Sequence, residues 1–288
     1  MNKPSKTIPA VLAGLTLGLW MSSAGAQQDF SNVQITPHRV AGNIWYLEGQ
    51  GGNIGLSVGE DGVVMIDDQF APLTDRILAA VRGLSAGQIR FLVNTHIHGD
   101  HTGGNENLGK MGIQILARDE VRVRLAANSA PEALPVLTFG EDMTIHLNGE
   151  SMHIISMPPA HTDGDAIIFF QGSDVIHVGD VFRTVAYPVI DLNNGGSLDG
   201  TLETLGIIIG MSGPNTKIVP GHGVVSSRED VRDFRDMVLD VKSRVAALVA
   251  QGRNFDQVMA ARPTAAYDAK WGDPERFLRS VYAELGGQ

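Results

Sequence analysis

The chain has 288 residues, a formal net charge of −10 and no cysteine. Acidity without a block of lysine and arginine makes it a poor partner for nucleic acid, whose phosphates reward basic surfaces. The lack of thiols excludes disulfides and leaves only nitrogen and oxygen ligands for any metal. An apolar content of 43% fits a globular protein with a buried core and excludes a disordered chain.

The N-terminus reads as a leader. Lys3 and Lys6 precede a mostly apolar run from Ile8 to Met21, and Ser22 to Ala26 ends in the small-x-small pattern that a signal peptidase cuts. The run is too short to span a membrane. Cleavage after Ala26 is expected, giving a periplasmic or secreted chain from Gln27 to Gln288 with no stable membrane insertion. The leader takes two lysines and no acid with it, so the mature chain is still more acidic.

Asn43 to Leu47, Asn53 to Val58 and Val63 to Asp67 are short apolar runs separated by Gly-rich or Glu-Asp-Gly turns, and read as strands joined by hairpins. Pro72 to Leu84 has helical spacing in Ile77, Leu78, Val81 and Leu84, and a strand, Phe91 to Thr95, follows. A short helix is expected over Asn105 to Met111, a strand over Ile113 to Ala117 and a helix over Arg118 to Ala127. Further strands are expected at Met143 to Leu147, Met152 to Met157, Ala166 to Phe170, Val175 to Val178 and Lys217 to Val219. Leu198 to Met211 and Ser226 to Gln251 read as helices, the second capped by Ser227 with Asp230 three residues on. One or two more helices fill the tail, with Pro263 and Gly272-Asp273-Pro274 as breaks. The stretches NIGLSVGEDGVVMIDD and GDAIIFFQGSDVIHVGD echo each other as strand, turn, strand and terminal aspartate. Two similar halves of this kind suggest two sheets packed face to face with helices outside, forming one domain with a helical tail.

The stretch NTHIHGDHTGGN, residues 94 to 105, places His96, His98, Asp100 and His101 within six positions just past a strand. A loop at a strand end projects such side chains into one cleft, and imidazole with carboxylate is a donor set that zinc, iron and manganese accept without thiolate. His161, Asp180 and His222 each follow another strand, so all these candidates fall where sites gather when elements converge on one edge. This is more than one tetrahedral ion needs, which implies two metals. Asp67 and Asp68 end a strand beside the cluster, either as turn caps or as groups that orient a metal-bound histidine. His146, His153 and His177 lie within strand-like runs and His38 in the exposed N-terminal segment, and these read as surface or satisfied core histidines.

H-x-H-x-D-H, a later histidine, an aspartate after a strand and a final Gly-His-Gly resemble the metallo-β-lactamase superfamily, in order and spacing along essentially all of the mature chain. The resemblance implies an α/β fold of four layers, the αβ/βα sandwich, with two packed mixed sheets, helices outside and metals on one edge. It implies that His96, His98 and His161 hold one divalent ion, that Asp100, His101 and His222 hold the other, and that Asp180 bridges them. The ions would be Zn2+, activating a water that attacks a carbonyl, with Asp100 orienting that nucleophile and relaying its proton. Secreted β-lactamases show stretches very similar to NTHIHGDHTGG, which makes a β-lactam the first substrate expected, with a lactone, ester or thioester as the alternative. Many lactamases carry cysteine where this chain has Asp180, and a carboxylate-binding lysine where it has Arg183; aspartate is typical of the lactonase, glyoxalase and diesterase branches. Arg183, and Asn194 in the stretch NNGGSLDG, are expected to bind substrate, a small molecule whose carboxylate Arg183 would read. An iron-dependent oxygenase and a non-catalytic metal-binding protein are the readings from other classes.

Overall fold

The computed structural model describes residues 28–287, so the expected signal segment, Met1 to Ala26, lies outside the described residues. Val63, Val64, Met65 and Ile66 are all buried, yet alternate residues face two different interiors. This is the period-two geometry of a strand covered on both sides, and it recurs throughout the molecule.

One sheet has seven strands in chain order: β1 (Thr36–Ala41), β2 (Ile44–Glu48), β3 (Ile54–Gly59), β4 (Gly62–Ile66), β5 (Ile89–Val93), β6 (Gln114–Arg118) and β7 (Leu137–Phe139). The first four pair antiparallel and β4 to β7 pair parallel, so the sheet is mixed. The other has five strands, β8 (Asp142–Leu147), β9 (Glu150–Ser156), β10 (Ala166–Phe170), β11 (Val175–His177) and β12 (Lys217–Val219), in the order β12-β11-β10-β9-β8. It too is mixed, because only β11 and β12 run parallel.

Val64, Ile66, Val93 and Leu116 from the first sheet meet Ile154, Ile168, Phe170 and Val219 from the second in a central apolar layer. On the far side of the first sheet, Val63, Met65, Leu92 and Ile115 pack with Ile77 and Val81 of α1 (Thr74–Leu84) and, beyond the tetrapeptide helix α2 (Gly99–Thr102), with Leu108 of α3 (Asn105–Lys110). After α4 (Asp119–Leu125), the remaining helices α5 (Leu198–Met211), α6 (Arg228–Ala250), α7 (Phe255–Ala261), α8 (Asp268–Trp271) and α9 (Glu275–Glu284) supply residues that bury Ile167, Ile176 and Ile218 of the second sheet. The result is the expected helix, sheet, sheet, helix sandwich. Ser227 and Asp230 close a reciprocal cap at the start of α6.

Four features depart from the sequence reading, one being that Asp100 and His101 stand in the helical turn α2 and not in a loop. β1 and β7 are edge strands absent from it, and the tail forms three helices, α7 to α9, rather than one or two. β7 has only three residues, and no residue of β1 is fully buried, so neither shows the clear apolar alternation that marks a half-buried strand. His38 therefore sits in β1, stacked on Tyr46 and 2.9 Å from Glu48. His153 pairs with Asp142, His146 contacts Ser151, and buried His177 faces the Asn53 carbonyl at 3.1 Å. None of these four joins the cluster at residues 96 to 101.

That cluster occupies one edge of the sandwich, where the C-terminal ends of β4, β5, β9, β11 and β12 meet. Ala166 N–H donates to the Thr95 carbonyl at 2.9 Å, and Asn53 N–H to the Gly221 carbonyl at 2.6 Å, tying the two sheets together beside it.

Candidate metal centre

Three overlapping groups of side chains converge there: His96, His98 and His161; His96, His101 and Asp180; and Asp100, His101 and His222. Within each group the ligand atoms lie within 4.8 Å of one another. Asp180 stands between the sets, with Oδ1 3.2 Å from His101 Nε2 and Oδ2 3.4 Å from His222 Nε2 and 3.8 Å from His161 Nε2. Asp100 Oδ2 lies 3.2 Å from His222 Nε2 and 3.8 Å from His101 Nε2. The seven ligands expected from the sequence are thus brought together.

The outward nitrogens of four rings are held by the fold. Asp67 Oδ2 accepts from Thr95 Oγ1 at 2.7 Å, which leaves that hydroxyl oxygen to accept from His96 Nδ1 at 3.0 Å. His101 Nδ1 donates to the same Asp67 carboxylate at 2.7 Å, His161 Nδ1 to the Val189 carbonyl at 2.6 Å, and His98 Nε2 to Asp191 at 2.7 Å. These partners assign the tautomer of each ring in its neutral form, which leaves the inward nitrogen with its lone pair. His98 Nδ1 and His161 Nε2 then face each other at 2.8 Å, two acceptors that repel unless a proton or cation lies between them.

This donor set fits metal ions. His96 Nε2, His101 Nε2 and Asp180 Oδ1 are buried with no hydrogen-bond partner, an arrangement that is costly for polar atoms unless something charged joins them. Burial holds His96 well below the usual histidine range, aided by repulsion from protonated His101. Burial also opposes charge on His101, but the Asp180 and Asp67 carboxylates on its two sides raise it well above that range. For Asp180 burial works the other way, and His101 and His222 overcome it to hold the carboxyl well down. Burial likewise raises Asp100, while His222 and His101 bring it to about 2. In the bare chain protons on histidine thus neutralise the two carboxylates, a task suited equally to metal cations.

Close backbone approach places these side chains. A Cβ on Gly52 would lie 2.1 Å from the His101 ring, and one on Gly221 would lie 1.9 Å from Asp180 Oδ1. Asp165 accepts from the backbone N–H groups of His161 and Thr162 and from the Thr162 hydroxyl, which shapes the turn that presents His161. Asp67 takes the orienting role weighed for it in the sequence. Asp68 instead accepts from Gly104 N–H at 2.9 Å, and burial raises its carboxyl well above the usual range.

The centre opens into a cleft of about 430 Å³ lined by Phe70, Val189, Arg183 and Arg276 together with metal-ligand candidates. Arg183 reaches the cleft because its backbone bridges to His222 in parallel register. Asn194 does not line it: its amide donates to Asp191 at 2.8 Å and accepts from Arg124 at 3.1 Å. Sequence reasoning missed Asp191 and Arg276, which carry no local motif, and Thr95, which lies inside the His-rich stretch but is no metal donor.

The description "Metallo-beta-lactamase superfamily" attaches to the family profile that matches residues 47–222. A 2,4-dinitroanisole O-demethylase subunit alpha from a Nocardioides species is 25% identical over 208 residues, 69% of this chain and 61% of that protein. Hydroxyacylglutathione hydrolase of Nitrosococcus oceani is 27% identical over 54% of this chain and 57% of its own. The enzyme of that name from Rhodospirillum rubrum is 27% identical over 74% and 77%. The chain therefore spans about three fifths of the length of the first two relatives. Among solved structures, a metallo-beta-lactamase from Pontibacter korlensis superposes with a TM-score of 0.63 at 16% identity, over 72% of this chain and all of that one. A double mutant of the sec-alkyl sulfatase PisA1 reaches 0.70 at 16% identity, over 88% of this chain and 50% of that one. The matched span runs from within β2 through His222, the last of the seven clustered side chains, and on that ground the chain belongs to the metallo-β-lactamase superfamily.

Proposed function

We propose that this protein is an exported hydrolase with two zinc ions that cleaves an acyl bond in a small molecule, with a β-lactam as first substrate. The observation that carries the reading is the set of inward nitrogen and oxygen atoms left without partners around Asp180. His96, His98 and His161 would hold one ion, Asp100, His101 and His222 the other, with Asp180 shared. Zinc held there supplies a water acidic enough to ionise near neutral pH and a Lewis acid for the bond under attack.

The chain's own side chains do the rest. Asp100 borders the cleft with its Oδ2 3.2 Å from His222, placed to accept a proton from a cleft water and pass it on. Asp67, Thr95, Asp191 and the Val189 carbonyl keep four histidines in one orientation. Arg183 offers a planar fork to a substrate carboxylate, and Phe70 and Val189 give the cleft an apolar wall. A thioester or ester is the second reading. It is favoured by the carboxylate ligand Asp180 and by the hydroxyacylglutathione hydrolases among the relatives. Export rests on Lys3, Lys6, the apolar run after them and the Ala24-Gly25-Ala26 site.

The test pairs elemental analysis with a panel of β-lactam, lactone, glutathione thioester, phosphodiester and sulfate ester reporters. Two zinc ions per chain with β-lactam turnover supports the first reading, and preferential thioester turnover the second. Metal-loaded protein that turns over none of them is not a hydrolase of this kind. Iron, in protein purified without added metal, would point instead to an oxygenase on the same fold.

A further inference from the structure

The C-terminal tail contributes a side chain to the cleft that no motif announces. Arg276, near the start of α9, lines the same cavity as His98, Asp100, His161, Asp180 and Arg183. Its backbone is fixed there by α9, whose Phe277 is fully buried and stacks on Tyr187, rings 5.6 Å apart and 11° from parallel. Ser280 donates to the Ile190 carbonyl at 3.0 Å, and Glu284 accepts from Leu198 N–H at 2.7 Å. The segment after Arg183 and the helix bearing Arg276 are therefore one packed unit.

Neither guanidinium has an ion-pair or hydrogen-bond partner among the described residues, and the buried Nε of Arg183 is orphaned. Two acids near them in sequence, outside the metal-ligand candidates, are occupied. Asp191 is held by His98 and Asn194, while Glu275 pairs with Arg279 at 2.6 Å. Metal cations would offset Asp100 and Asp180, so two unpaired arginines leave the cleft cationic within a chain of net charge −10. Such a local field selects anions against the charge of the whole.

We infer that Arg183 and Arg276 form a two-point anion site, and that the substrate is a dianion offering a carboxylate, sulfate or phosphate group to each guanidinium. The identity of the bond cleaved rests on the hydrolase reading; the anion site does not.

Calorimetric titration of zinc-loaded protein with succinate, glutarate and adipate scans the spacing between two carboxylates, with the matching monomethyl esters as single-charge probes. The expected result is a preference of about tenfold or more for one diacid over its monoester. Arg276→Gln and Arg183→Gln should each abolish that preference, and Arg276→Lys should restore part of it, since the charge returns without the fork. Arg276 is exposed and unpartnered, so Arg276→Gln should keep its zinc content and melting temperature. Equal binding of diacid and monoester by the parent protein, or a preference that survives Arg276→Gln, overturns the two-point site. Ester hydrolysis and zinc content are read on the same samples. Arginine-dependent diacid binding without hydrolysis overturns the hydrolase reading alone, and hydrolysis without arginine-dependent binding overturns the anion site alone.

Discussion

His98 gives its Nε2 proton to Asp191 Oδ2 at 2.7 Å, although the two residues lie 93 positions apart. The contact turns Nδ1 of His98 toward His161. Asn194 and Arg124 extend the chain of contacts outward to α4. Burial tends to raise the Asp191 carboxyl, but hydrogen bonds from Asn194 and His98 outweigh it and hold the group at about 2. The acceptor is therefore ionised around neutral pH.

Removing that acceptor should loosen the three-histidine set without unfolding the chain. Asp191→Ala is expected to weaken zinc there by about 10- to 100-fold, the usual cost of losing a group that orients a ligand. Asp191→Asn, which keeps an oxygen acceptor, should lose much less. Competition with a metal-binding dye measures both, and an Asp191→Ala affinity within twofold of the parent would show that His98 needs no such support.

Asp180→Ala removes the one carboxylate within 4 Å of histidines from both sets. The bound zinc should fall below two ions per chain and hydrolysis should nearly vanish, while circular dichroism stays that of the parent. Two tightly bound ions with activity intact would mean that Asp180 is not shared.

The seven clustered side chains were legible in the sequence because each follows soon after a local strand, where a short window shows both the strand and the polar residue beyond it. The same holds for the paired echo: its two hairpins are β3-β4 and β10-β11, and their aspartates, Asp67 and Asp180, approach opposite nitrogens of His101 at 2.7 and 3.2 Å. Of the groups that hold these side chains, only Asp67 was legible. Asp191 meets His98, and the Val189 carbonyl meets His161, only after the segment following Asp180 has folded back across the cleft. Arg276 reaches the site through the packing of Phe277 on Tyr187, which no periodicity in the tail encodes. β1 and β7 escaped for a different reason, since an exposed edge strand does not need alternation.

Gly221 allows the turn before His222 to lie against the Asp180 turn, and its N–H donates to the Gly179 carbonyl at 2.6 Å. A Cβ there would meet the Gly179 carbonyl carbon at 2.6 Å as well as the Asp180 carboxylate. Gly221→Ala should cost about 1–3 kcal/mol, the range for forcing atoms into a packed site, and should lower zinc occupancy. Gly210→Ala is the control: it lies on α5 with open space around the added carbon, and should be neutral or stabilising by about 0.5–1 kcal/mol. Chemical denaturation reads both, and equal effects of the two substitutions would remove the argument from close approach.

Export predicts a defined N-terminus. Protein recovered from the periplasm or medium of a bacterial host should begin at Gln27, as read by intact mass. A mass that retains Met1 to Ala26 would sink the proposal.

Arg118 offers the sharpest separation of folding from metal binding. It is 9% exposed at the end of β6, and its Nη1 donates to the carbonyls of Met157, Asp163 and Asp165 at 2.9, 3.0 and 3.4 Å. Those carbonyls belong to the turn that carries His161, so one guanidinium fastens that turn to the first sheet from outside while Asp165 shapes it from within. Arg118→Met keeps much of the buried volume but takes the guanidinium donor from the Met157 and Asp163 carbonyls, while the Asp165 carbonyl keeps the Met157 N–H, at a cost of about 1–3 kcal/mol. Arg118→Lys keeps a charge with a different reach and should recover part of it. If the guanidinium also sets the position of His161, zinc affinity of the three-histidine set should fall in the same order, Met below Lys below parent. Denaturation of metal-free protein gives the first quantity and dye competition the second. A stability loss with zinc affinity unchanged would assign the placing of His161 to Asp165 alone, with Arg118 contributing only to the fold.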